Sequence, residues 1–172
     1  MGERTMENEK FVLSVIVQNR SGVLTRVSGL FSRRGFNIDS LTVGETENPD
    51  YSRMTIMATG DDYIKDQIVK QLGKLHEVKK IQLMEPDNTV TRELMLIKVD
   101  ATGGHRAEIM EAVHVFRAKA VDFTPKSIGV EITGEASKLN AFIEYVRPYG
   151  ILEMCRTGVT ALGRGESCLT AE

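Results

Sequence analysis

The sequence predicts an α+β fold made of two βαββαβ units, each a four-stranded antiparallel sheet with two helices on one face. Three observations support this prediction. Apolar residues recur with a period of two in short segments and with a helical period in longer ones. Polar turns that contain Gly, Pro, Asn or Asp separate the segments. The same order of segments occurs twice, each time over roughly 75 residues.

The first unit begins with "FVLSVIV", a strand that is apolar on both faces. A helix follows, with Ser21 as the N-cap and Gly35 as the left-handed residue after its end. The apolar stripe of this helix consists of Val23, Leu24, Val27, Leu30 and Phe31. The next strand changes phase, and a bulge near Asp39 and Ser40 would reconcile its two halves.

The rest of the first unit is predicted as a solvated hairpin loop "ETENPDYS", a returning strand, a helix capped by Asp61 or Asp62, and a closing strand. The second unit repeats this order and closes with a single strand, "ILEMCRTGVTAL". Both units have the order of a ferredoxin-like sandwich. The predicted division is an N-terminal tail 1–9, a first domain 10–85, a linker 86–91, a second domain 92–165 and a C-terminal tail 166–172. Because one face and the edges of each sheet need cover, we expect a homodimer.

Composition excludes several classes of function. The formal net charge of −2 gives no general attraction to nucleic acid. No apolar run approaches the roughly 20 residues of a membrane span, and "MGERTMENEK" lacks the apolar core of a signal peptide. The two cysteines form no disulfide framework, so we expect a reduced cytoplasmic protein without nucleic-acid or membrane partners.

The sequence also offers no catalytic or metal-binding pattern. The three histidines, His76, His105 and His114, lack metal-ligand spacing. Cys155 is expected to be a buried or half-buried strand residue, and Cys168 lies in the predicted tail. The glycines of "GVTALGRGE" lack the Lys-Ser/Thr of a phosphate loop. We therefore expect no catalytic residue, no metal and no cofactor bound by this chain.

The stretch "NRSGVL", residues 19–24, has two interpretations, and residue spacing alone does not decide between them. It is either an ordinary capped turn or a loop that holds a ligand. The unpaired N–H groups at the start of the helix can receive a carboxylate, and Gly22 permits close approach. Asn19 can donate and accept hydrogen bonds. This chemistry suits binding of an amino acid and supplies no group that would react with it.

The segment "NRSGVLTRVSGLFSRRGFNIDSLTVGETENPDYSRMTI" resembles the N-terminal ACT domain of the small, regulatory subunit of acetolactate synthase (acetohydroxyacid synthase). The stretches "RELMLIKV", "FRAKAVDFTP" and "TGVTALGRGE" resemble the C-terminal domain of that subunit. The resemblance covers nearly all of residues 10–166. Its most specific motifs are "GFNIDSLTV" and "SRMTI".

This resemblance implies a non-catalytic partner of a large subunit that carries thiamine diphosphate, Mg²⁺ and FAD. The small subunit would activate the large subunit and confer feedback inhibition by valine, with leucine or isoleucine as further possible effectors. ACT domains would pair side by side, with effector sites at their interface. Asn19, Gly22, Val23 and Leu24 would come from one chain, and Asn37 and Ile38 from the other. The alternative from another class is a free-standing, amino-acid-responsive transcriptional regulator, but no DNA-reading helix is evident in the sequence.

Overall fold

The computed structural model describes residues 9–171. The predicted N-terminal tail therefore lies outside the described residues, except for Glu9, which begins the first strand. The strands are β1 (Glu9–Gln18), β2 (Ile38–Glu45), β3 (Tyr51–Gly60), β4 (Val78–Met84), β5 (Thr89–Asp100), β6 (Lys119–Phe123), β7 (Ser127–Gly134), β8 (Ile151–Arg156) and β9 (Thr160–Gly163). The helices are α1 (Val23–Arg33), α2 (Asp62–Leu72), α3 (Arg106–Val115) and α4 (Ala136–Val146).

The described chain divides into two compact units, residues 9–90 together with 159–171, and residues 91–158. Each unit contains the predicted βαββαβ order, which confirms the repeat. The predicted linker, 86–91, contains a short 3-10 turn at Pro86–Asn88, and β5 begins directly after it at Thr89. Strand structure therefore starts earlier than the predicted second domain, 92–165.

The first unit contains an antiparallel sheet with the strand order β2-β3-β1-β4. Helices α1 and α2 pack on one face of this sheet, against Leu13, Val15 and Val17 of β1. Ser14 and Ile16 point to the opposite face and are also buried, at 0% and 1% exposed. Both faces of β1 are thus covered at these positions, as its apolar residues on both faces indicate.

The predicted bulge in β2 is also confirmed. Ile38 pairs with Ala58, whereas Ser40 pairs with Met57, so Asp39 is an extra residue in the ladder. This extra residue lets Ile38 and Leu41, which differ in parity, both pack on the helical side of the sheet.

The second unit contains an antiparallel sheet with the order β6-β7-β5-β8, and α3 and α4 cover one face. Its core has fourteen buried residues: Met95, Ile97, Val99, Ala101, Ile109, Ala112, Val113, Ile128, Val130, Ile132, Leu139, Phe142, Ile143 and Val146. Cys155 is exposed, contrary to the prediction. It pairs with Leu96, whose neighbour Ile97 faces the core, so Cys155 lies on the face away from the helices.

The predicted closing strand "ILEMCRTGVTAL" is wrong as a single strand. Strand β8 ends at Arg156, and β9 begins at Thr160. Between them, Gly158 has a φ of 88°, a left-handed conformation that a continuing strand cannot contain. Thr157 still bonds to Leu94 of the second unit, but from Val159 onwards the chain belongs to the first unit.

Candidate effector site

The loop after β1 turns into α1 through Gly22. Gly22 is the N-cap residue, with a φ of 86°, and no side chain caps the helix. The prediction that Ser21 would be the N-cap is therefore wrong. The turn requires a left-handed residue directly before the helix, and glycine adopts that conformation without strain from a Cβ. A Cβ on Gly22 would meet no atom within 4 Å, so the space next to this helix start is open.

Asn19 is tied to the β2–β3 hairpin rather than pointing freely into solvent. Its Nδ2 donates to Glu45 Oε1 at 3.1 Å and to the Pro49 carbonyl at 2.9 Å. Its backbone N–H donates to the Asp50 carbonyl at 2.8 Å. Both side-chain N–H groups thus have partners inside the chain, and Oδ1 is the atom that can accept a hydrogen bond from a ligand.

The hairpin loop "ETENPDYS", predicted as merely solvated, therefore has a second role. Glu45, Pro49 and Asp50 together fix the position of Asn19. Sequence reasoning missed these three residues because they lie 26 to 31 positions after Asn19, and no local spacing pattern connects them. The other side of the loop is held by Glu77, whose carbonyl accepts from Gln18 N at 2.9 Å and whose carboxylate pairs with Arg26 at 2.7 Å.

The two apolar residues of the loop differ in exposure. Val23 is 4% exposed and packs in the core of the first unit. Leu24 is 45% exposed, so its predicted place in the buried stripe of α1 is wrong. Of the two, Leu24 is the side chain that can contact a ligand, whereas Val23 fixes the start of the helix in the core.

The second predicted group, Asn37 and Ile38, lies at the start of β2. Asn37 Nδ2 donates to Asp39 Oδ1 at 2.9 Å, and Thr59 Oγ1 donates to Asp39 Oδ2 at 2.6 Å. Asp39, the bulge residue, thus holds this corner together. Ile38 is half-buried against the core, with part of its side chain accessible.

Within one chain the two predicted groups are far apart. Ile38 pairs with Ala58, which pairs with Phe11 near the beginning of β1. The loop at 19–24 follows Gln18 at the end of β1. Gln18 lies seven positions after Phe11, which corresponds to about 23 Å at 3.3 Å per residue. The structure therefore does not bring Asn37 and Ile38 to the loop of the same chain.

Residues 9–171 contain no group of three or more His, Cys, Asp or Glu side chains that could hold a metal ion. Over the same range, none of the helices combines the length and the hydropathy needed to span a bilayer.

Comparison with known proteins identifies both halves of the chain. A family model described as an AHAS small subunit-like ACT domain matches residues 13–80, and one described as the small subunit of acetolactate synthase matches residues 92–165. A probable acetolactate synthase small subunit of Methanothermobacter thermautotrophicus is 48% identical, over 93% of this chain and 96% of that protein. The acetolactate synthase small subunit of Mycolicibacterium smegmatis is 53% identical, over 89% and 90%.

A solved structure agrees with these matches. The crystal structure of the acetolactate synthase small subunit from Thermotoga maritima superimposes with a TM-score of 0.86 at 42% identity, covering 92% of this chain and 99% of that one. The alternative of a transcriptional regulator gains no support from these relatives. The chain belongs to the acetolactate synthase small-subunit family, and its first unit is an ACT domain.

Proposed function

We propose that this chain is the regulatory subunit of an acetolactate synthase, which activates the catalytic large subunit and makes it sensitive to valine. The main support for this proposal is that the residues of the predicted effector site fall into two separate groups. Its two groups of residues lie at opposite ends of one sheet, so a complete site requires a second copy of the chain.

The contact between Asn19 and Glu45 indicates how two copies would complete the site. Glu45 is the last residue of β2, and β2 is an edge strand of its sheet. If two β2 edges pair antiparallel about a two-fold axis, the start of one β2 lies beside the end of the other. Asn37 and Ile38 of one chain then approach Glu45 of the second chain, and with it the loop that Asn19 anchors. This pairing produces two equivalent sites per homodimer.

The residues brought together suit a small apolar amino acid. The first N–H groups of α1 can receive its carboxylate, and Asn19 Oδ1 can accept from its ammonium group. Leu24 of one chain and Ile38 of the other provide an apolar wall. Burial of a valine side chain contributes about 1.5–3 kcal/mol. One methylene changes binding by only about 1–3 kcal/mol, so leucine and isoleucine should bind as weaker effectors.

In this proposal the catalytic chemistry belongs to the large subunit, together with thiamine diphosphate, Mg²⁺ and FAD. The small subunit acts through a coupling free energy of roughly 1–3 kcal/mol between its effector site and the partner. A cytoplasmic location fits the two exposed free cysteines, Cys155 and Cys168, which a reducing compartment preserves.

Titration calorimetry of the isolated chain with valine, followed by reconstitution with the large subunit from the same organism, tests this function. We expect binding at micromolar to millimolar valine, no activity of the isolated chain on pyruvate, and higher, valine-sensitive activity after reconstitution. If the large subunit were equally active and equally insensitive to valine with and without this chain, the proposed function would be wrong.

A further inference from the structure

The segment from Val159 to Gly163, here called the return strand, contains β9, which pairs with β5, and it is also held by side chains of β2 and β3. Val159 N donates to Ser40 Oγ at 2.9 Å, and Thr42 Oγ1 donates to the Val159 carbonyl at 3.0 Å. Arg53 Nη2 donates to the Ala161 carbonyl at 2.9 Å. Val159 is only 5% exposed and Ala161 only 2%. The return strand is thus an integral part of the first unit.

The three side chains that hold the return strand share one face of the sheet. Leu41, between Ser40 and Thr42, packs on the helical side, so its two neighbours point to the opposite side. Arg53 precedes Met54, a core residue, and therefore also points away from the helices. The return strand consequently lies on the face of the sheet that α1 and α2 leave uncovered.

This docking site begins immediately beside the candidate effector residues. Ser40, which binds Val159, follows the bulge residue Asp39, and Asp39 is bound by Asn37 and Thr59. A ligand that contacts Asn37 and Ile38 would therefore act on the same short segment that holds Val159. Asn37 and Ile38, the proposed ligand contacts, lie three and two positions before Ser40, which accepts from Val159.

The docked arrangement contains unfavourable contributions to stability as well as favourable ones. Burial lowers the pKa of the Arg53 guanidinium, which means that the charged side chain loses hydration there, and Glu47 only partly offsets this loss. Arg53 Nε and Ser14 Oγ are buried without a protein hydrogen-bond partner among residues 9–171. Gly158 and Gly165, with left-handed φ values of 88° and 70°, turn the chain on either side of the strand.

We propose that the return strand transmits occupancy of the effector site to the rest of the chain. Valine at Asn37 and Ile38 favours the docked return strand, and Ser40, Thr42 and Arg53 are positioning residues that set its docking equilibrium. Gly158 links the strand directly to Thr157, which is bonded to Leu94 of the second unit, so docking constrains the end of that unit. This inference rests on the proposed function, since it assigns a route of regulation to the same site.

Hydrogen exchange of the full-length chain, with and without saturating valine, tests the inference directly. We expect valine to slow exchange of the 159–163 amides. Arg53→Met removes one charged hydrogen bond and should speed exchange there by about tenfold. Arg106→Met is the matched control, because Arg106 of α3 also donates to backbone carbonyls, those of Thr124 and Pro125, which lie within the second unit. Val159→Asp, which places a charge at a buried position, is a second way to release the strand.

The same variants are then reconstituted with the large subunit. Arg53→Met and Val159→Asp should keep activation without valine and still give binding heat, but lose at least half of the inhibition at saturating valine. Arg106→Met should behave as the parent chain. Protection of β1 and β7 amides confirms that each variant is folded.

The possible failures are distinguishable. Absence of valine binding heat in the parent chain contradicts the proposed function. Binding heat without any effect of valine on exchange of residues 159–163 overturns the return-strand proposal alone. Full valine inhibition in a variant whose return strand exchanges freely also overturns it, as does unchanged exchange in both variants.

Discussion

The side-chain amide of Asn19 donates to the carboxylate of Glu45 at 3.1 Å, across 26 residues of sequence. This hydrogen bond connects the loop before α1 to the end of the edge strand β2. It therefore holds the loop that would bind an effector against the strand edge through which a second copy would pair.

Replacing Asn19 with Ala should weaken valine binding and destabilise the chain. The change removes hydrogen bonds to Glu45 and Pro49, each with a net contribution of about 0.5–1.5 kcal/mol, and also removes Oδ1. Valine calorimetry and urea unfolding measure the two effects. Asn88→Ala, a change at an exposed asparagine of the Pro86–Asn88 turn, should leave both unchanged. If Asn19→Ala bound valine with unaltered affinity, Asn19 would not be part of the effector site.

Gly22→Asp should abolish valine inhibition while activation of the large subunit survives. The new carboxylate would occupy the position at the start of α1 that the ligand carboxylate needs. Gly22→Asn is the matched control, because it has the same size and the same left-handed backbone, at a φ of 86°, but no charge. Enzyme assays across a valine titration measure both variants. If Gly22→Asp remained fully sensitive to valine, the ligand would bind elsewhere.

Val43→Asp should weaken the homodimer. Val43 lies on β2 and is 43% exposed, and antiparallel pairing of two β2 edges would place the two new carboxylates close to the two-fold axis. We expect the dissociation constant of the dimer to rise at least about tenfold, equivalent to about 1.4 kcal/mol. Analytical ultracentrifugation measures this change. Val115→Asp, at a valine that is 72% exposed on α3, should have no effect; equal dimerisation of the two variants would exclude pairing through β2.

Arg156→Met should strongly destabilise the second unit. Arg156 forms two hydrogen bonds to Glu93, at 2.8 and 2.7 Å, and Glu93 is only 6% exposed. Removing Arg156, whose side chain is 28% exposed, leaves the buried Glu93 carboxylate without its partner, which costs about 1–3 kcal/mol. Arg147→Met breaks a solvent-exposed pair with Glu144 and should lower stability much less than Arg156→Met does. Urea unfolding that gave similar losses for both variants would contradict this assignment.

Much of the fold could be predicted because local chemistry determines it. The alternation of apolar residues predicted the sheets, the change of phase in β2 predicted the bulge at Asp39, and Asp61 caps α2 by accepting from Ile64 N at 2.8 Å. Gly35 has the expected left-handed conformation, with a φ of 69°. Each of these features depends on residues within a few positions of one another.

The features that were missed depend on contacts between distant parts of the sequence. Nothing near Asn19 indicates that Glu45 and Pro49 bind its amide. Likewise, "TGVTAL" is a reasonable continuation of β8 by its apolar pattern. The chain leaves β8 after Arg156 because Gly158 turns it, and the segment that follows is held by β5 and by Ser40, Thr42 and Arg53, which lie more than a hundred residues earlier in two of the three strands involved.

The return strand also has a consequence for the order of events during synthesis. The second unit, residues 91–158, is inserted within the polypeptide of the first, so the ribosome completes it before Val159 and Ala161 are made. Domains tend to fold as they emerge, the N-terminal ones first. In this chain the ACT domain cannot complete its contacts until the second unit has been fully translated. Until then, Ser40 and Arg53 lack their hydrogen bonds to Val159 and Ala161. The first unit to start folding is therefore the last to finish.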